Sequence, residues 1–420
     1  MRIRQSLGVL LGLVAVLVVA ESAVSLLSPA VDPATGGAEL SRFFTAAQLA
    51  RADGYRDPGR WIAIAALMVN FALLGAVVAG RPRRLRFELA IAIRRPILGG
   101  ALVGAALFAS LVLALTPFSL LAHQRAANAA IATDSLGGWA RDRSIALALQ
   151  ALGGGIAGAI LVVLQRRFGE RWWIGATVAT VAFATLITWV QPVLITPLFG
   201  NEARLGDPRA RQAVLELADR ADVAVDDVFV LDASRRSRTL NAYVSGIGAS
   251  RRVVLYDNLV EGLDRRELRA VVAHELGHVK GNDLWRGIAY IALVAPFGLA
   301  FLARALRPLL AGRRLAPGTA AAVAPSLAAI LALAGCVEIT SNRLSRAVEA
   351  RADQVALELT GDPAGLVRVQ VALARRNLSD LDPPGWYQAL FATHPSPIER
   401  IDAAISSDPK AAASEAGPSG

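Results

Sequence analysis

Residues 271–283 read "VVAHELGHVKGND", with two histidines four apart and a glutamate directly after the first. On a helix, residues four apart lie one above the other, so His274 and His278 share a face. Two ligands of one metal ion need that placement. In the H-E-x-x-H pattern the intervening glutamate, here Glu275, is the general base of a metalloprotease. The residues just before the motif predict the helix it requires. Asp264 and Glu267 have capping-box spacing, with Leu263 and Leu268 placed as a hydrophobic staple. The helix is expected over about 265–280, stopping near Gly281. Gly277 costs about 1 kcal/mol there relative to alanine, and its missing side chain would let another backbone approach the face that carries the histidines.

A catalytic zinc takes three protein ligands and keeps a fourth position for water. No third histidine follows the motif closely, so the ligand must come from elsewhere, and a downstream glutamate is the common solution. Glu338, Glu349 and Glu358 are candidates. Glu349 is the best of them. It lies in the helical stretch "SNRLSRAVEARADQVALEL", and Asp353 follows one turn later on the same face. Such a carboxylate can orient a ligating histidine. The chain has four histidines. His394 precedes a helix start in "THPSPIERI", where Ser396, Pro397 and Glu399 form a capping box with proline at the first helical position. From that loop it could donate to the oxyanion of a tetrahedral intermediate. His123 is read as an ordinary loop histidine.

Upstream of the motif, residues 200–283 are charged and mixed. "DPRARQAVLELADRADV" has helical periodicity, and "DDVFVLD" reads as a short strand. "TLNAYVSGIGASRRVVLYDNLV" alternates, turns at "GIGAS" and alternates again, as a β-hairpin does.

The rest of the chain is strongly apolar. It has 420 residues, 54% of them hydrophobic, and a mean hydropathy of +0.46, values of a membrane protein. Seven spans are expected, at about 7–27, 61–79, 97–122, 145–164, 172–190, 287–303 and 317–337, each long enough for ~30 Å of hydrocarbon. Small residues recur in them, as in "GGALVGAALFAS" and "LGGGIAGAI", which suits close helix packing in lipid. Trp61, Trp139, Trp172, Trp173 and Trp285 fall near span ends, where an indole is at home. Residues 1–20 also fit a cleavable leader. The apolar character resumes after Glu21, however, which favours a retained span. The net charge of +10 sits in short loops between spans, where lipid head groups are the natural partner and nucleic acid is not. The lone Cys336 allows no internal disulfide.

The expected organisation is therefore mainly α: a polytopic helical membrane protein with about seven transmembrane helices and a small α/β zincin-type protease domain. Residues 1–199 form an N-terminal membrane region of five spans, and 200–283 a soluble insert. Residues 284–340 hold two further spans, 341–408 a C-terminal catalytic segment, and 409–420 a disordered tail.

The segments "NAYVSG" (241–246), "RRVVLYDNLV" (251–260), "VVAHELGHVKGND" (271–283), "SRAVEARAD" (345–353) and "THPSPIERI" (393–401) carry a resemblance, in matching order. The chain resembles the integral-membrane zinc metalloproteases of the type 1 CAAX prenyl protease family, relatives of the heat-shock protease HtpX. The resemblance is specific in residues 238–283 and 341–401. It implies one zinc ion per chain, held by His274, His278 and Glu349, with Glu275 as general base and Asp353 behind a ligand histidine. It further implies that Asn241 and Ala242 lie on the edge strand that pairs with an extended substrate. His394 would lie near the scissile bond and Arg346 beside the site. The membrane helices would wall a water-filled chamber, with the protease domain on the cytoplasmic side of the cell membrane. Lys/Arg counts on the two sides nearly tie, so the positive-inside rule does not choose.

The expected function is a membrane-embedded zinc endopeptidase cutting extended, membrane-associated or misfolded protein segments, with protein or peptide substrates, the lipid bilayer and no nucleic acid as partners. Two rivals are a catalytically silent scaffold of the same fold and a seven-helix transporter or receptor. The intact Glu275 and candidate ligands oppose the first. The near absence of ionisable residues inside the spans opposes the second.

Overall fold

The computed structural model describes residues 2–31, 39–80 and 95–408. The expected disordered tail 409–420 and parts of loops 28–60 and 80–96 lie outside the described residues.

Long apolar helices dominate. The N-terminal region contains α1 (Arg2–Leu27), α2 (Ala46–Ala79), α3 (Pro96–Asn128), α4 (Leu136–Phe168), α5 (Trp172–Val190) and a short α6 (Thr196–Phe199). Among the described residues, six helical segments are long and apolar enough to cross a membrane. One of them, Leu136–Phe199, is 64 residues long and contains two of the seven expected spans. A 3-10 turn, Gly169–Arg171, divides it. Gly169 has a positive φ of 55°, a conformation that glycine adopts without steric cost.

The small residues pack α3 against α4. A Cβ on Gly104 would lie 2.1 Å from the Gly154 carbonyl oxygen, and one on Gly158 would lie 2.2 Å from that of Gly100. The two backbones therefore touch where each helix places glycines four residues apart, as close helix pairs in membranes do.

Helix α2 begins well before its apolar part. Thr45 caps it in a capping box with Gln48, and Phe43 and Phe44 just upstream are buried in the core of the soluble unit. What reads as a loop in hydropathy is thus partly helix and partly core.

The soluble insert holds β1 (Glu202–Arg204), α7 (Pro208–Arg220), β2 (Asp227–Leu231), β3 (Ala242–Ser245), β4 (Arg252–Tyr256), α8 (Asp257–Gly262) and α9 (Arg265–Lys280). The sheet order is β1-β2-β4-β3. Strands β3 and β4 form the expected antiparallel hairpin, with Ala242 opposite Leu255. β2 runs parallel to β4, and β1 antiparallel to β2. β3 is therefore an edge. Helix α9 starts at Asp264, which accepts hydrogen bonds from the Arg266 and Glu267 backbones while Glu267 reaches back to the Asp264 N–H. Val272, Ala273 and Leu276 on its inner face are fully buried.

Asn282, at φ +56°, turns the chain into α10 (Asp283–Gly312). Helix α11 (Ala320–Thr360) is 41 residues long. Its first half is apolar and its second half carries buried Asn342, Glu349 and Asp353. Then follow α12 (Pro363–Asn377), α13 (Gly385–Phe391) and α14 (Pro397–Ser407), the last capped by Ser396 and Glu399.

Several membrane-region segments meet the soluble unit at one end of the bundle. The loop before α4 bonds to the insert through Thr133 N to Arg236 O (3.0 Å), and α4 itself does so through an Asp142–Arg236 ion pair (2.7 Å). Arg60 on α2 pairs with Asp380 (2.7 Å).

Candidate active site

Helices α9 and α11 cross at Gly277. A Cβ there would come within 3.0 Å of both the Cα and the carbonyl oxygen of Ala352. Because nothing projects from Gly277, the two helices lie backbone to backbone. Glu349 and Asp353, on either side of Ala352, are thereby brought to the histidine face of α9.

His274 Nε2 lies 3.4 Å from Glu349 Oε2 and His278 Nε2 lies 3.5 Å from Glu349 Oε1. The two Nε2 atoms are 3.2 Å apart. The far nitrogen of each ring is held by a carboxylate, His274 Nδ1 by Asp353 (2.8 Å) and His278 Nδ1 by Asp283 (3.0 Å). Both carboxylates are themselves fixed by arginines. Arg400 from α14 makes a two-pronged contact with Asp353, at 2.7 and 2.6 Å, and Arg351 reaches Asp283 at 2.6 Å.

Among the described residues, His274, His278 and Glu349 are grouped with one ligand atom of each within 4.8 Å of the others. The donor chemistry fits a metal ion. With each Nδ1 donating to its carboxylate, both Nε2 atoms face the same small space, where a cation that displaces their protons would meet both lone pairs. Glu349 Oε2 is buried and makes no hydrogen bond. His394 Nδ1 approaches it to 2.9 Å without hydrogen-bond geometry. Two imidazoles and a carboxylate are a ligand set of catalytic zinc sites. The field agrees: burial and Arg400 work against a charged His274, yet Asp353 and Glu349 hold its pKa up, to about 10. Such a site attracts a cation, which binds with release of the proton.

Glu275 lines the same cavity. Burial pushes its carboxyl above the usual range, against the pull of His274 and His278. A raised carboxyl is suited to hold a proton transiently near neutral pH. His394 is exposed on the loop before α14 and faces the cavity. Arg346 does not reach His274, His278 or Glu349. Its guanidinium bonds to the carbonyls of Gln388 (2.8 Å) and Ala392 (2.7 Å) and so fixes the segment leading to His394. Glu338 and Glu358 are both exposed and stand outside the His–His–Glu group. His123 stacks on Trp139, 5.9 Å between ring centroids, far along the chain from the site.

Asn241 and Ala242 line the cavity, whose volume is 820 Å³. The Asn241 carbonyl accepts from Tyr256 N, so the backbone groups of Ala242 face the open side of the strand by the alternation of an antiparallel ladder. Asn241 Oδ1 covers the Ala242 N–H at 3.0 Å. Asn377 holds the strand's approach by bonding both the N–H and the carbonyl of Leu240.

The pattern of peptidase family M48 matches residues 205–407. The pattern described as the CAAX prenyl protease N-terminal region, five membrane helices, matches residues 61–201. The chain belongs to peptidase family M48. This M48 peptidase is similar to an uncharacterised metalloprotease of Bacillus subtilis, 29% identical over 376 residues, 87% of each chain. It is 31% identical to a CAAX prenyl protease 1 homolog of Arabidopsis thaliana over 273 residues, 62% of each chain. CAAX prenyl protease 1 of Saccharomyces cerevisiae is 28% identical over 272 residues, 59% of each chain. The crystal structure of S. mikatae Ste24p has the same fold, with a TM-score of 0.69, 20% identity, and coverage of 95% of this chain and 98% of that one. The M48 peptidase is thus a membrane-embedded metalloprotease of CAAX prenyl protease type.

Sequence reasoning missed Asp283, Arg351, Arg400 and Asn377. Asp283 does stand in the quoted motif. Its contact with His278 depends on the corner at Asn282, which local pattern does not announce.

Proposed function

We propose that the metal is zinc and that the chain is an endopeptidase acting on extended segments of membrane-associated or misfolded proteins. One observation carries this reading: His274, His278 and Glu349 converge with Glu275 in a cavity that is bordered by an open strand edge. His274, His278 and Glu349 are the ligands, one zinc per chain. Bound zinc would supply Lewis-acid polarisation of the scissile carbonyl and of the attacking water.

The chain's own residues do the rest. An extended substrate pairs with the backbone of β3 at Ala242, adding a strand to the sheet. Asn241 swings from the Ala242 N–H to release that donor. Glu275 takes a proton from the attacking water and passes it to the leaving amine. His394 donates to the developing oxyanion. Asp353 and Asp283 hold the imidazoles in the tautomer that presents Nε2, and Arg346 positions the His394 segment.

In this reading residues 1–199 and 284–340 are the membrane-spanning parts, of which α2 and α3 line the cavity, while 200–283 and 341–408 supply the catalytic groups. The protease unit lies on the cytoplasmic side of the cell membrane. Reporter fusions that put residues 200–283 outside would overturn that orientation.

The deciding experiment is casein hydrolysis by the detergent-purified full chain beside Glu275→Gln, with zinc content measured in both. Cleavage by the wild type alone, with about one zinc in each protein, is expected. Absence of zinc from both would refute the reading.

A further inference from the structure

Four aromatic rings form a continuous seam between α2 and α13. Trp61 on α2 faces Trp386 on α13, with centroids 6.3 Å apart. Trp386 packs edge-on against Tyr387 (5.7 Å) and Phe391 (6.3 Å), which lie 5.5 Å from each other. The seam is graded. Trp61 is 64% exposed and Trp386 48% exposed, whereas Tyr387 and Phe391 line the catalytic cavity together with His394.

The outer end of the seam falls where the apolar part of α2 begins. Trp61 opens the uncharged part of α2, immediately after Arg56, Asp57 and Arg60. Helix α13 is held at the same level, its Leu390 and Gln388 carbonyls bonded by Asn342 and Arg346 of α11, residues just beyond the apolar half of that helix. Arg60 stacks over Tyr387 at 5.6 Å, its charge turned toward Asp380. Two exposed indoles at this level suit a chain that is apolar on one side and wet on the other. A lipid anchor alone would need only the outer pair. The inner pair carries the same surface into the cavity.

We infer that this seam binds the membrane-embedded flank of the protein substrate and leads its adjoining extended segment to the β3 edge. The inference rests on the proteolytic reading above. It assigns specificity for membrane-anchored substrates to Trp61 and Trp386, which do not line the cavity.

The test uses the full chain in phosphatidylcholine vesicles and two substrates with the same cleavable segment, one fused to a transmembrane helix and one free. In the Trp61→Ala/Trp386→Ala double variant the ratio of kcat/KM for anchored over free substrate should fall at least tenfold, through KM. Trp386→Phe, which keeps a ring, should retain most of the ratio. A ratio unchanged in the double variant, or an equal loss on both substrates, overturns the inference while leaving the proteolytic reading intact. Failure of the wild type to cut either substrate overturns both.

Discussion

Gly277 meets the backbone of Ala352 so closely that a methyl group would fit only if the two helices shifted apart, since a Cβ would stand 3.0 Å from two backbone atoms. The distance between the histidine helix and the carboxylate helix is therefore set by the absence of a side chain. Gly277→Ala raises intrinsic helix propensity by about 1 kcal/mol, so a local view predicts a more stable protein. The contact predicts the reverse. Overpacking of ~1–3 kcal/mol should lower the melting temperature, and the displaced Glu349 should weaken zinc binding at least tenfold in competition with a chelator. A stabilised variant with undiminished zinc affinity would contradict this geometry.

The two orienting carboxylates should behave alike toward the metal. Replacement of such partners lowers metal affinity by about 10–100-fold. Asp283→Ala and Asp353→Ala are each expected in that range, measured by zinc titration against a fluorescent chelator. Arg351→Ala should give a smaller loss, because it acts on Asp283 rather than on His278. Wild-type affinity in Asp283→Ala would mean that its 3.0 Å contact with His278 does not orient the ring.

An acid-sensitive element lies away from the site. Arg211 holds the Asp227 carboxyl below its usual range, with help from the Val228 N–H and from Arg204 and against the effect of burial. A depressed carboxyl stabilises the fold above its unfolded value of about 3.9. That contribution is lost as pH falls through the folded value. Exchange of amide hydrogens over residues 227–231 should thus accelerate below about pH 4 beyond the intrinsic trend. In Asp227→Asn, protection at pH 6 should already be reduced and the acid step should vanish. An acid step that persists in the variant would assign it to another group.

In the membrane region, Gly104→Leu drives a side chain into the Gly154 carbonyl, 2.1 Å from where a Cβ would stand. The helix pair must separate, and the purified protein should lose thermal stability. The soluble unit's fold should remain, as read from protection of residues 251–260. Unchanged stability would show that the pair is not closed by its glycines.

Much of the site is legible in sequence because it is local. The HELGH spacing, the cap at Asp264 and the E-x-x-x-D of α11 each follow from helical geometry over a few residues. The third corner is not local: Glu349 lies 71 to 75 residues beyond the histidines, and only its helical pairing with Asp353 points to it. Arg400 has no such pointer, because its partner Asp353 lies 47 residues earlier in the chain. In the fold, hydropathy marks the apolar halves of α2 and α11 and hides their polar continuations. For α2 the "TAAQ" at 45–48 was a readable start signal. Phe43 and Phe44 are buried in a core built from distant segments, with Arg375 bonding the Phe43 carbonyl, and nothing in their neighbourhood announces it. Strand β1 is three residues long, too short for alternation to register.

Helix α11 runs without a break from its apolar half to Asp353. At 1.5 Å per residue, Glu349 stands roughly 18 Å beyond the end of the apolar stretch near residue 337. A rigid rod of that reach is a lever whose pivot is the bilayer. Helices adjust tilt to match hydrocarbon thickness, and a change of about 3° at the pivot moves the carboxylate by roughly 1 Å, unless contacts such as Gly277–Ala352 carry α9 along. Zinc affinity in vesicles of short-chain and long-chain lipid measures how much of that motion reaches the ligands. A difference would make membrane thickness an input to the chemistry, and equality would mean that α9 and α11 tilt as one body.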